Sequence, residues 1–273
     1  MSLFTSTTGD GSREFCFVHG FTQTGKSWVA AAQAMGDSTN TFVDAPDHGE
    51  SQGISLSLQE TGDELADIAF GKVLVGYSMG ARMSLHAVIQ HPYAMTGLVL
   101  VSGTPGIEDD SERAARVQAD EVLASRIESI GTPEFIQEWI RHPLFAKSKF
   151  SNEEIQDRSR NTPASLATSL RKCGTGQQES LWPQLQDINI PVLLICGSRD
   201  EKFTEIAKRM NQLIQPPALR MVRKNQLTDS TAIQLAIIKK DILPQPIDDP
   251  PIAKCSLALQ SVYNFVCIQH LHP

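Results

Sequence analysis

Gly76-Tyr77-Ser78-Met79-Gly80 is a G-x-S-x-G pentapeptide set between an apolar run, Val73-Leu74-Val75, and a helix-compatible stretch at 79–90. A serine on a sharp strand-to-helix turn stands exposed for nucleophilic attack, and flanking glycines remove side chains that would clash as the backbone reverses. The Met79 N–H, opening the helix, points toward negative charge that develops beside Ser78. A chance match at a tight turn would lack this strand-before, helix-after context, so Ser78 reads as the nucleophile. His19-Gly20-Phe21 follows another apolar run, and there the Phe21 N–H is the second oxyanion donor expected. His19 itself precedes the serine, the wrong order for a base, and reads as a loop brace.

Asp200, in Gly197-Ser198-Arg199-Asp200, follows the run Val192-Leu193-Leu194-Ile195. That is the place of the acid in the chain order serine, acid, histidine, with a helix N-cap as the alternative. Arg82 lies four residues after Ser78 and so shares its helix face. A cation in a first helical turn opposes the helix dipole, which points to a task such as holding a substrate carboxylate; a solvated surface arginine is the other reading. The base is harder to place. After Asp200 the chain has only His270 and His272, near the end, while His19, His48, His86, His91 and His142 all come earlier.

These residues need a scaffold. Phe15-Cys16-Phe17-Val18, Thr41-Phe42-Val43, Val73-Leu74-Val75, Leu98-Val99-Leu100-Val101 and Val192-Leu193-Leu194-Ile195 read as short strands buried on both faces. Helix-compatible stretches at 58–70, 79–90 and 201–213 alternate with them, which predicts an α/β fold: a mostly parallel sheet with helices on both faces. Between 106 and 181 no strand is legible, and helical patterns at 111–130, 133–140, 151–158 and 163–173 predict a helical cap over the strand ends, where ligands bind in such sheets. The expected organisation is a core of 1–105 and 182–273 with a cap of 106–181. From about 215 the pattern is least legible, and Pro244, Pro246, Pro250 and Pro251 suggest an irregular segment.

The 273 residues suit one such domain with an insertion. A formal net charge of -7 provides no basic surface for nucleic acid. No apolar run approaches a membrane span, and 1–13 lacks the apolar core of a signal peptide. Five cysteines without metal-type spacing, an odd number, point to the reducing cytoplasm.

Several linked motifs go further: F-V-H-G-F at 17–21, V-G-Y-S-M-G-A-R at 75–82, S-G-T-P-G-I at 102–107, E-R-A-A-R at 112–116, W-I-R-H-P-L-F-A at 139–146, R-S-R-N at 158–161 and C-G-S-R-D-E-K-F at 196–203. Over about 15–208 the chain resembles the 2-succinyl-6-hydroxy-2,4-cyclohexadiene-1-carboxylate synthases of menaquinone and phylloquinone biosynthesis, members of the α/β-hydrolase superfamily. The resemblance implies a lyase that eliminates pyruvate from a succinyl-enolpyruvyl-cyclohexene carboxylate, using its triad for proton abstraction and needing no metal or cofactor. It implies Ser78 and Asp200 as triad members and Phe21 and Met79 as oxyanion donors. It further implies Arg82, Arg116 and Arg158 as carboxylate holders and Tyr77, Trp139 and Phe145 as pocket residues. The implied partner is a small polycarboxylate. Taken singly, Arg116 also reads as a helix-surface charge and Trp139 as a core aromatic.

The chain departs from the family where a G-H-x-x-H-like segment is expected, reading Met221-Val222-Arg223-Lys224-Asn225-Gln226. A shifted reading frame at the gene's 3′ end and a distant histidine folding back are two accounts of the departure. Two other functional readings stand beside the lyase. One is a generic ester or thioester hydrolase, which has no use for three arginines; the other is a binder of the same fold, lacking the base.

Overall fold

The computed structural model describes residues 2–33, 35–142, 150–197 and 200–214, and the backbone of 220–224. Among these, β1 (Thr5–Thr8), β2 (Glu14–Val18), β3 (Thr39–Val43), β4 (Val73–Tyr77), β5 (Gly97–Val101), β6 (Val192–Gly197) and β7 (Arg220–Lys224) form one sheet ordered β1-β3-β2-β4-β5-β6-β7. Every neighbouring pair is parallel except β1–β3. The expected α/β fold is therefore present.

Successive strand residues point to opposite faces, and both faces are apolar. Cys16, Val18, Leu74, Leu98, Leu100 and Leu194 pack on one side with residues of α2 (Leu58–Ile68) and α3 (Met79–Gln90). Phe15, Phe17, Val75, Val99, Leu193 and Ile195 pack on the other with Trp28 and with Ala31 and Ala32 of the short α1 (Val29–Gln33). Local chemistry sets the helix starts. Ser57 and Glu60 form a capping box at α2, satisfying two amide donors that the first turn leaves open.

Among the described residues, four α-helices lie between β5 and β6: α4 (Asp110–Ile130), α5 (Thr132–Trp139), α6 (Asn152–Ser159) and α7 (Pro163–Cys173). They carry an apolar cluster of their own, in which Ala124, Ile127, Phe135, Ile136, Leu166, Ala167 and Leu170 are buried. After β6, α8 (Glu201–Leu213) returns to the sheet.

Two strands have no counterpart in the sequence expectations. β1 is polar and exposed along its length; backbone pairing to β3 holds it, and no apolar alternation marks it. β7 lies in the segment that looked illegible, with Arg220 and Lys224 at its ends, and it is placed by parallel pairing to β6.

Candidate active site

The C-terminal ends of β2, β4 and β6 bring the candidate residues to one edge of the sheet, the edge at which open α/β sheets bind ligands. At the end of β4, Ser78 adopts φ 52 and ψ −106, a strained conformation for an L-residue, at a cost of about 1–3 kcal/mol. The turn is locked on both sides. The Ser78 N–H donates to the Val101 carbonyl at 2.9 Å, and the Ser78 carbonyl accepts from the Arg82 N–H at 3.2 Å. A Cβ on Gly76 would meet the Gly80 carbonyl oxygen at 2.5 Å, and one on Gly80 would collide with the carbonyls of Val18 and His19. These glycines let α3 turn back against β2, and Ser78 is left half-buried at its N-terminus. As the first residue of α3, Met79 has an N–H with no carbonyl one turn back to accept it.

The loop after β2 faces this elbow. The Gln23 N–H donates to the Gly20 carbonyl at 3.1 Å, closing a turn over 20–23, and Thr22 has φ 70 while Phe21 does not share the positive φ. That is a type II turn with threonine where glycine is usual. The Phe21 N–H makes no backbone hydrogen bond among the described residues. The Tyr77 ring lies against Gly20, where a Cβ would meet its Cδ1 at 2.8 Å. Loss of water raises the Tyr77 phenol above its ordinary value, with Arg158 opposing and Asp200 adding to the rise. Tyr77 thus lies within electrostatic reach of Arg158 and of Asp200.

His19 braces the loop, as its position in the chain suggested. Its Nε2 accepts from the Ala45 N–H at 2.9 Å, so the proton sits on Nδ1, which donates to the Gly20 carbonyl at 2.8 Å. Burial lowers this imidazole to about 4. His48 is used in the same way: Nε2 accepts from the Thr22 N–H at 3.2 Å and Nδ1 donates to the Pro46 carbonyl at 2.9 Å. Burial, and then His19, lowers it to about 3.

The three arginines differ in their surroundings. Arg82 is buried, and its guanidinium donates to the carbonyls of Cys173 at 2.7 Å and Gly174 at 3.4 Å, so it caps the C-terminus of α7. Burial lowers it to about 10, and it lies within electrostatic reach of Arg116 and Asp120. Arg116, half-exposed on α4, donates through Nε to the buried Asp120 at 2.8 Å. Arg158 is buried at the end of α6; Nη1 donates to Thr22 Oγ1 at 2.6 Å and the guanidinium lies 5.4 Å from the Phe150 ring centroid. Burial lowers Arg158 as well, with Tyr77 opposing. Trp139 packs edge-on to Phe21 at 5.6 Å and stacks on Phe135 at 5.7 Å. Phe145 lies outside the described residues.

Asp200 opens α8 and its Oδ1 accepts from the Phe203 N–H at 3.1 Å, so the N-cap role is present. β4 and β6 flank β5, which separates Ser78 from Asp200 by two strand spacings, about 10 Å at the backbone. That is a span an imidazole could bridge. His19 and His48 have both ring nitrogens engaged, His91 is bonded to Asp63, and His86 lies two turns into α3. His270 and His272 lie outside the described residues.

The residues alone did not single out Thr22, His48 and Asn161, which hold the Phe21 turn. Asn161 closes the quoted R-S-R-N motif, but its partner is 139 residues away, and no local pattern reports such a pairing.

The sequence profile of the alpha/beta hydrolase family matches residues 17–229. A Bacillus subtilis (strain 168) protein assigned as 2-succinyl-6-hydroxy-2,4-cyclohexadiene-1-carboxylate synthase is 35% identical over 221 residues, spanning 76% of this chain and 81% of its own. The Yersinia pseudotuberculosis (serotype O:3, strain YPIII) synthase of the same name is 30% identical over 202 residues, spanning 71% and 74%. Among solved structures, MenH from S. aureus superposes with a TM-score of 0.74 at 27% identity, over 82% of this chain and 90% of that one.

Proposed function

This chain belongs to the 2-succinyl-6-hydroxy-2,4-cyclohexadiene-1-carboxylate synthase family of the α/β hydrolases, and from that membership we propose that it is a lyase releasing pyruvate from a succinyl-enolpyruvyl-cyclohexene carboxylate in menaquinone or phylloquinone biosynthesis. The observation that carries the proposal is the strained Ser78 elbow at the N-terminus of α3, with the Gly20–Thr22 loop packed against the neighbouring Tyr77 ring.

In the proposed reaction a base takes the Ser78 hydroxyl proton and the alkoxide takes a carbon-bound proton from the substrate. The electron pair passes through the ring, the carbon–oxygen bond to the enolpyruvyl group breaks, and the departing enolate is protonated to pyruvate. Negative charge on the substrate oxygen falls between the Phe21 and Met79 N–H groups, fixed donors that need no reorganisation during the reaction. Arg82, Arg116 and Arg158 hold the substrate carboxylates, and Asp200 orients the base. Tyr77 and Trp139 shape the pocket, as Phe145 is proposed to do from outside the described residues. The helices α4 to α7 act as a cap, region 106–181 over a core of 1–105 and 182–273. Their separate apolar cluster and the Phe21–Trp139 contact support this division.

Among the described residues no helix is long and apolar enough to cross a membrane. A cytoplasmic site of action and a free small-molecule substrate are part of the proposal.

One observation favours a second reading, a binder that turns over poorly. After β7 the chain reads Asn225-Gln226 where a G-H pair is expected, leaving His270 and His272 as the histidines that follow Asp200. The test is incubation of the purified protein with the cyclohexene substrate, following pyruvate with lactate dehydrogenase, beside short-chain p-nitrophenyl esters. Pyruvate release with negligible ester cleavage supports the lyase. Ester cleavage alone supports a generic hydrolase, and substrate binding without either product supports the binder.

A further inference from the structure

Thr22 is buried, β-branched and at φ 70, a conformation that L side chains avoid and that a type II turn ordinarily gives to glycine. The Gln23 N–H to Gly20 carbonyl bond closes the turn locally but engages none of the polar groups of Thr22. Instead each of its polar groups is held from a distant part of the chain. Its N–H donates to His48 Nε2 at 3.2 Å, its hydroxyl oxygen accepts from Arg158 at 2.6 Å, and its carbonyl accepts from Asn161 Nδ2 at 2.8 Å. Asn161 is itself buried and fixed in orientation. Its Oδ1 accepts from the Gly49 N–H at 2.8 Å, and Nδ2 also donates to the Arg158 carbonyl at 3.0 Å.

We propose that Asn161, from the junction of α6 and α7, is a positioning residue that holds the Thr22–Gln23 peptide through the Thr22 carbonyl, keeps Thr22 left-handed, and so aims the Phe21 N–H at the oxyanion. The inference rests on the proposed role of Phe21 as an oxyanion donor. It deepens that role by making one donor depend on the helical region through a neutral amide, beside the Arg158 bond to the Thr22 hydroxyl. Asn161 touches neither Ser78 nor the proposed reacting atoms; its amide satisfies a donor on one loop and an acceptor on the other. A carboxylate at 161 keeps the acceptor for Gly49 and faces the Thr22 carbonyl with a second acceptor, which opens the turn.

The test uses three full-length variants: Asn161→Asp, Thr22→Gly, which tolerates φ 70 without help, and the double variant. Amide hydrogen exchange is read by mass spectrometry on peptides covering 20–24 and 76–82, with pyruvate release measured in parallel. Asn161→Asp is expected to speed exchange at 20–24 about tenfold or more and leave 76–82 unchanged. It is expected to lower kcat about tenfold with KM within about twofold, since an ill-placed oxyanion donor acts on the transition state. Thr22→Gly in the same background is expected to recover most of the lost kcat. Unchanged exchange at 20–24 overturns the inference, as does loosening of both segments together or a loss of kcat that glycine at 22 leaves in place. Faster exchange confined to 20–24 in a protein that releases no pyruvate supports the role of Asn161 in the turn and counts against the lyase, so the two failures are told apart.

Discussion

The elbow at Ser78 and the turn at Phe21–Thr22 face each other across the candidate site, both in strained backbone, but they are stabilised by different means. The elbow is held by close backbone packing: Gly76 and Gly80 allow contacts that a Cβ would block, the Ser78 N–H donates to the Val101 carbonyl, and the first turn of α3 closes on the Ser78 carbonyl. The Thr22 turn is held from afar, by His48 and by Arg158 and Asn161, the last two 136 and 139 residues away. The proposed nucleophile, fixed by backbone packing, stays in place as long as the sheet does. The proposed oxyanion donor, fixed by side-chain hydrogen bonds from distant residues, depends on protonation and on the helical region.

The largest effect is expected where steric closeness is violated. Gly80→Ala places a methyl group against the Val18 and His19 carbonyls and is expected to destabilise the fold by about 3 kcal/mol or more, a fall of roughly 10 °C in Tm. Thermal melts that match the wild type would break the contrast. Ser78→Gly is next. It relieves φ 52, so Tm is expected to rise by a few degrees while pyruvate release falls by about 10³-fold or more. Strain relief together with loss of turnover is the signature of a functional elbow.

The arginines sharpen the comparison further. Arg82→Met is expected to lower Tm and raise KM together, because the guanidinium caps α7 and is proposed to hold a substrate carboxylate as well. Arg116→Ala is expected to raise KM about tenfold or more with a smaller change in Tm, since that side chain is half-exposed. Steady-state kinetics beside thermal melts separate the two patterns.

The mildest effect is expected from pH. His19 and His48 are held neutral by burial, near 4 and 3 against 6.5 for the free imidazole. The unfolded chain therefore binds more protons than the native one between about 6.5 and 3. Their contribution to stability is complete above 6.5 and is lost as pH falls through that window. Tm is expected to fall steadily from pH 7 to pH 4, with exchange at 20–24 rising before exchange at 76–82. Equal sensitivity of both segments would remove the distinction between them.

What could be foreseen from sequence follows the same division. The strand-turn-helix around Ser78 is local, so the pentapeptide and its apolar flanks located it, and α3, α7 and α8 have the bounds expected of them. β1 was missed because an exposed edge strand of Thr5–Thr8 needs no apolar alternation, and β7 because its basic ends hide a strand defined by pairing with β6. The arginines were recognised as a set through their motifs. That Arg82 would cap α7 and Arg158 bind Thr22 depends on contacts more than ninety residues apart, which spacing does not encode. Asp200 takes the N-cap reading at α8, and its role as the acid belongs to the proposal.

The most direct measurement is single-turnover pyruvate release from the cyclohexene substrate by wild-type protein and by Ser78→Ala. Release by the wild type, reduced by about three orders of magnitude or more in the variant with substrate still bound, is the expected result. Equal rates from the two proteins would contradict the assignment of Ser78 as the group that moves the proton.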